Sequence, residues 1–320
     1  MKKTDAQTVH LEPMGALKEM LPELQDLKRQ QPAHYTKSIA SSLFTESWER
    51  LLYGKNPKDI ALRITLKALL AIVLPGCDGH FFKTAGIDQK SAETILKSAF
   101  YEQIGDRIDS RLYQNLWKEI PELVAEFFVE TNFRKKLDPY DSKYWFVEAL
   151  CNQPRAGATK PGMSRLLLVP PEMHSEHCLI TAVYAVLLSP GFNAEIGLPF
   201  LTGLTHHLHN AVLPDCGFAG EIALGEYLHP IIENSRAEAL KHVDKKSSEH
   251  IMNAILNHEN LENAEGRSSS AADVLDRVLD IKWRVRAASV IEKDVLDDLE
   301  LVHDGPIKSF QMEVLKSADL

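Results

Sequence analysis

Apolar residues recur along most of this chain at intervals of three and four rather than two. In "SAETILKSAFYEQIGDRI", Ile95, Ala99 and Ile104 fall on one side and charges on the other, the pattern of an amphipathic helix. The stretch "IPELVAEFFVETNFRKKL" sets Pro121 in a first-turn position and Glu122 beside it, and finishes on Arg134, Lys135 and Lys136. That charge order suits the helix dipole. "NPKDIALRITLKALLAIVLP" reads the same way, with Asn56 as cap, Pro57 in the first turn and Pro75 past the end. No series of short alternating strands joined by Asn-Gly or Asp-Gly occurs. The pattern predicts an all-α fold.

One segment breaks the helical rhythm. "CNQPRAGATKPGMSRLLLVPPEMHSEH", Cys151 to His177, holds Pro154, Gly157, Pro161, Gly162, Pro170 and Pro171, so no helix crosses it whole. It divides the chain into a helical N-terminal region, 1–150, of unknown role, and a second region, 160–320, that carries most of the metal-type side chains. A second loop is expected at "NAEGRSSSA", Asn263 to Ala271, leading into the helix "ADVLDRVLDIKWRVRAASVIEKDVLDDLEL". The N-terminal helices are left with two roles, a cover for the site or the surface of a homodimer.

A net charge of -9 and an isoelectric point near 5.8 argue against an extended nucleic-acid-binding surface, which needs a basic face. A local basic pocket for a small phosphorylated ligand is compatible with them. The 4 cysteines lie far apart with no CxxC pair, which suits a reducing cytoplasm. "MKKTDAQTVHLEPM" has two lysines but no apolar segment behind them, unlike a signal peptide. "ALLAIVLPGC" follows Arg63 and Lys67 and stops at Pro75, short of the roughly 20 apolar residues that span a bilayer. A cytoplasmic protein without membrane contact is expected.

The candidate chemistry is concentrated around "LTHHLHNAVLPD", Leu204 to Asp215, which packs three histidines into four positions. His177 opens the apolar helix "CLITAVYAVLL", and His206 and His207 follow the apolar run "LPFLTGLT". Adjacent helical side chains point about 100° apart, so both reach one site only over the edge between their faces. His229 precedes Pro230, His258 sits in "NAILNHENLE", and Asp273 and Asp276 share a helix face three residues apart. Burying an aspartate in an apolar helix costs on the order of several kcal/mol unless it is paired or coordinated. Each of these residues alone is more often structural than functional; the weight lies in the ordered series.

That series resembles the HD-domain metalloprotein superfamily, an all-α fold whose histidines and aspartates hold one or more metals on a helical bundle. The nearest likeness is to its HD-GYP branch, over residues 170–285. The branch motif "HDIGKxxxPD" is matched by "HHLHNAVLPD", placing His206 on the family histidine, Pro214 on its proline and Asp215 on its second aspartate. His229-Pro230 matches a histidine-proline pair, Asn257-His258-Glu259 partly matches "HHE", and "ADVLDRV" matches "ADVYDAL". The resemblance thereby implies His177, His206, His207, His229, His258 and Asp273 as metal ligands, with Asp276 as an acid behind them. Aligning His209-Asn210 with the doublet instead breaks the match at Pro214-Asp215. His174 competes with His177 as first ligand, but "EHC" leads straight into the apolar helix, and His177 is preferred.

The departures bear on the chemistry. His207 replaces the aspartate of the doublet, Asn210 the lysine behind it and Asn257 the first histidine of "HHE", and no "GYP" follows Gly266. A carboxylate bridges two metals, whereas an imidazole normally gives one nitrogen to one metal. Nitrogen-rich ligation favours transition ions over Mg or Ca, so one or two divalent ions of Fe, Mn, Zn or Ni are expected. The resemblance then implies a metal-dependent phosphohydrolase that attacks a nucleotide or other small phosphate ester with an activated water. Asp215, Asp276 and Asn210 are its catalytic candidates, and Arg277 or Lys282 would meet the phosphate. Glu221 is either a pocket acid or a surface glutamate in a first helical turn. Two other readings stand beside it, an HD-fold diiron oxygenase and a non-catalytic signalling module. The first calls for a mostly neutral pocket, the second for no tightly bound metal; a hydrolase calls for basic side chains lining the site.

Overall fold

The computed structural model describes residues 14–129, 144–285, 292–298 and 300–320. Among them lie fourteen α-helices and no β-strand, as the apolar periodicity predicts. In chain order they are α1 (Leu17–Leu24), α2 (Ile39–Leu52), α3 (Pro57–Val73), α4 (Gly79–Thr84), α5 (Gln89–Ile104), α6 (Ser110–Phe128) and α7 (Trp145–Asn152). There follow α8 (His174–Phe192), α9 (Gly197–Thr205), α10 (Gly217–Leu224), α11 (Leu228–Leu240), α12 (Lys245–Asn257), α13 (Ala264–Val285) and α14 (Lys308–Ser317). A short 3-10 turn, Gln25–Lys28, continues α1, and another, Leu208–Ala211, follows the two histidines after α9.

α3 runs as expected: the Asn56 side chain accepts from the Lys58 amide at 2.9 Å, and Pro57 occupies the first turn. Elsewhere the local reading shifts. α6 starts at Ser110, eleven residues before Pro121, because Asp109 caps it by accepting from the amides of Arg111 and Leu112. Pro121 therefore lies inside the helix, and Arg134, Lys135 and Lys136 fall outside the described residues. In α5 the buried stripe is Ala92, Leu96, Phe100 and Ile104, one residue round from the expected face; Ile95 is exposed.

The expected loop Asn263–Ala271 is mostly helix. Asn263 accepts from the Gly266 amide at 2.6 Å and α13 begins at Ala264. The polar run misleads because Ser268, Ser269 and Ser270 are fully buried. Ser269 returns its hydroxyl to the Glu265 carbonyl and Ser268 donates to the Ala185 carbonyl of α8 at 2.8 Å. Small hydroxyl residues let α13 lie close against α8, with the Ser268 and Ser269 hydroxyls satisfied by backbone carbonyls.

α8 is the central helix, buried from His174 to Ser189, with α2, α3, α9 and α13 packed around it. Gly203 of α9 lies so close to Ala182 that a β-carbon there would sit 2.6 Å from its Cα. One hydrophobic core runs from Met20 to Leu315, so the break near residue 150 does not separate two cores. Residues 153–173 connect α7 to α8 without a helix and carry two isolated antiparallel bridges, Pro154 to Met173 and Ala158 to Leu166. α1, α2 and α3 spend their apolar faces within the chain. No helix among the described residues is long and apolar enough to cross a membrane.

Candidate metal centre

Four elements bring the candidate ligands together. α8 supplies His177 from its first turn, the end of α9 supplies His206 and His207, the end of α12 supplies His258, and α13 supplies Asp273 and Asp276. Two sets of ligand atoms lie within 4.8 Å of one another here: His177, His206 and His207, and His206, His258 and Asp273. These groups can hold a metal ion. His229 does not join them: it is exposed near the start of α11, and none of the candidate ligand groups among the described residues includes it.

The hydrogen bonds fix which ring nitrogens face inward. His177 donates through Nδ1 to Asp276 Oδ2 at 2.6 Å. His206 donates through Nδ1 to the Gly203 carbonyl at 2.8 Å, and His207 through Nδ1 to Asn210 Oδ1 at 2.9 Å. With those protons on Nδ1, the Nε2 atoms carry lone pairs, and those of His177 and His206 lie 3.0 Å apart. Two neutral imidazole lone pairs repel at that distance, and a cation between them removes the conflict. Asp273 Oδ1 is 3.2 Å from His177 Nε2 and 3.9 Å from His206 Nε2, yet this buried oxygen and the buried His258 Nε2 have no hydrogen-bond partner in the protein. The His206 and His258 rings stack with centroids 4.8 Å apart.

Electrostatics favour the ligand state, neutral imidazole and ionised carboxylate, at His206, His207, His258 and Asp273. Burial, reinforced by the neighbouring histidines, pushes His206 and His207 well below the ordinary histidine value. Burial likewise lowers His258. Burial raises the Asp273 carboxyl, but Arg277 and His177 outweigh it and hold the group well below the usual range. Against the same effect of burial, Lys28 and His177 lower Asp276.

The other sequence candidates take different places. Asp276 is fully buried behind His177, away from the cavity, and orients that ring. Asn210 is buried and orients His207, while its amide donates to the Leu213 carbonyl at 3.2 Å. Asp215 does face the cavity, accepting the amides of Ala156 and Gly217, each at 2.9 Å. Its Oδ2 lies 3.5 Å from Nε2 of His174, a fully buried ring with neither nitrogen hydrogen-bonded. Lys282 pairs with Glu292 at 3.5 Å instead of meeting the cavity.

The cavity over the ligands has a volume of about 570 Å³. Arg155, Arg236 and Arg277 line it, and each has a buried Nε without a hydrogen-bond partner. Glu221 also lines it, its carboxyl raised by partial burial and by Asp215. Arg155 reaches Glu172 at 3.1 Å. Glu172 in turn meets Lys28, whose ammonium also meets Asp276. Burial works against the Lys28 charge, but Asp276, Glu172 and Asp280 overcome it and raise its pKa. Burial raises Glu172 too, and Lys28 with Arg155 brings it down to about 2. Sequence pattern gave no signal for Lys28, Arg155 or Glu172, which sit in a turn and in the irregular segment before α8. The chain matches no protein-family model, no curated protein and no solved structure.

Proposed function

We propose that this protein is a metal-dependent phosphohydrolase for a small phosphate ester, with an HD-like centre of His177, His206, His207, His258 and Asp273. The observation that carries the phosphate assignment is the set of three arginines around the ligands, each with a buried Nε that makes no hydrogen bond within the protein. Guanidinium groups recognise phosphate oxygens through paired charged donors. Set among the carboxylates of Glu172, Asp215, Glu221, Glu259, Asp273 and Asp280 in the same lining, these guanidinium groups make the cavity a charged one, unlike the mostly neutral pocket of the oxygenase reading.

Four histidine nitrogens and a carboxylate suit a divalent transition ion such as Fe, Mn, Zn or Ni. When bound, such an ion supplies Lewis acidity toward a phosphoryl oxygen and lowers the pKa of water toward neutrality. The protein's own groups do the rest. Arg277, beside the ligand Asp273, and Arg155, paired with Glu172, neutralise the phosphate and orient it. Asp215, fixed by two backbone amides, accepts a proton from water or holds it in line. Glu221, which lines the same cavity, is the acid placed to serve the leaving oxygen. Asp276 and Asn210 touch no substrate and serve by aiming the histidines.

The test is to load the protein with Mn²⁺, Fe²⁺ or Zn²⁺ and measure phosphate release from p-nitrophenyl phosphate and a panel of nucleoside phosphates. Metal-dependent release that disappears in His206→Ala is expected. Stoichiometric metal with no release from any ester would overturn the hydrolase assignment, and oxygen uptake by the Fe²⁺ form would direct attention to the oxygenase chemistry.

A further inference from the structure

The 3-10 turn Gln25–Lys28 inserts two side chains from the N-terminal region behind the metal centre. Lys28 is fully buried, with Nζ against Glu172 Oε1, 2.8 Å from Asp276 Oδ1, 2.9 Å from Asp276 Oδ2 and 3.9 Å from Asp280 Oδ1. Gln25 donates through Nε2 to Asp276 Oδ1 at 2.8 Å and to the Tyr184 hydroxyl oxygen at 2.9 Å. Asp276 thus receives one charged and one neutral donor from the turn while accepting His177 Nδ1–H at 2.6 Å.

We propose that Lys28 is a positioning residue for the metal centre: its ammonium, with the Gln25 amide, clamps the Asp276 carboxylate so that His177 keeps its proton on Nδ1 and turns Nε2 to the ion. This rests on the metal reading given above. The physical reason is the cost of a buried carboxylate. Without Lys28, Asp276, Glu172 and Asp280 would crowd a dry interior with, among the described residues, Arg29, Arg155 and Arg284 to balance them, and Asp276 itself pairs with none of those three. A freed Asp276 rotates away from His177 Nδ1, and the ring loses the acceptor that holds its proton there. Glu172, His177 and Asp276 also form a group with metal-ligand spacing; the Lys28 ammonium already sits between its two carboxylates. The N-terminal region is therefore part of the site's construction.

The full chain, its Lys28→Met and Gln25→Met variants and His206→Ala are titrated with Co²⁺ by absorbance. His177 is also read in metal-free protein by ¹⁵N–¹H correlation spectra, assigned with His177→Gln. Loss of a partner behind a ligand typically weakens metal binding by about 10- to 100-fold, and that loss is expected in Lys28→Met, with a smaller loss in Gln25→Met. The His177 spectrum is expected to move from the Nδ1–H form toward a mixed tautomer in the same order. Unchanged affinity or an unchanged tautomer in folded Lys28→Met overturns the proposal. If Lys28→Met fails to fold by circular dichroism, the same two readouts on Gln25→Met decide. If the unaltered protein takes up no Co²⁺, the metal reading fails on its own, and the metal-free tautomer comparison still decides the role of Lys28.

Discussion

The Nε2 atoms of His177 and His206 face each other at 3.0 Å, and each ring has already committed its proton on the opposite side, to Asp276 and to the Gly203 carbonyl. Together with the unpartnered Oδ1 of Asp273, this concentrates electron pairs in one buried spot. A cation there should stabilise the fold by mass action, by about 2.7 kcal/mol at a hundredfold excess over Kd. Adding Zn²⁺ or Mn²⁺ to chelator-treated protein is therefore expected to raise the melting temperature. Asp273→Asn, which halves the carboxylate's capacity to bind, should lose most of that rise. Equal responses in both proteins, measured by scanning calorimetry, would remove Asp273 from the ligand set.

Acid should destabilise the metal-free protein before ordinary carboxylates titrate. Burial lowers His174, His206, His207 and His258, and takes His209 down to about 4. In the unfolded chain these groups protonate near 6.5, so below that pH the unfolded state binds protons that the native state refuses. Each such group contributes a slope of up to about 1.4 kcal/mol per pH unit in that window. Asp215, Asp273, Asp276 and Glu172 are lowered as well, and their contribution is lost only on falling through the range near pH 4 and below. Glu176 and Glu221, which are raised, act in the opposite sense as the pH falls from their raised values toward the unfolded value of about 4.3. Urea midpoints with chelator present should fall steadily from pH 7 to 5; a flat profile there would mean that the histidines are charged in the native state.

Asn210 stands where the HD-GYP pattern has a lysine, and its contact shows a different use. It accepts the Nδ1–H of His207 at 2.9 Å and so leaves Nε2 free to bind. Asn210→Ala is expected to weaken metal binding by about tenfold, whereas Asn210→Asp, which keeps the acceptor, should stay within a few-fold of the unaltered protein. Competition with a fluorescent chelator measures both. Equal loss in the two variants would point to a role for the amide donor instead.

Much of this fold was legible from local signals: the cap and first turn of α3 follow directly from Asn56 and Pro57. The start of α13 was obscured by serines, whose usual preference for turns is overridden when they bond to carbonyls one turn back and across to α8. Pro121 was taken for a helix start because nothing local showed that Asp109 had already begun the helix. Of the site, it was the resemblance to the HD pattern that pointed to the histidines and Asp273 which the fold gathers, and the same resemblance brought in His229, which ends exposed on α11. The groups behind the ligands were not readable. Lys28 lies 248 residues from Asp276 in the chain, and no local pattern encodes a contact that only the folded core creates.

The arginine lining gives the test most specific to phosphate. Arg155 and Arg277 lie against Glu172 and Asp273, at 3.1 and 3.8 Å, so replacing either also disturbs the ligand set. Arg236 on α11 is separable: its Nη1 holds Glu233 of the same helix at 2.8 Å, while its buried Nε has no partner. A hydrogen bond to a charged group is worth about 1.5–3 kcal/mol, which corresponds to roughly a ten- to hundredfold change. Arg236→Met is expected to lower kcat/KM for phosphate esters by that factor, chiefly through KM, with metal content unchanged. An unaltered kcat/KM would place the phosphate away from α11 and leave Arg155 and Arg277 as its only arginine partners in the cavity. A loss of metal along with activity would instead mean that Arg236 supports the ligands through His209, the histidine whose pKa it helps to lower.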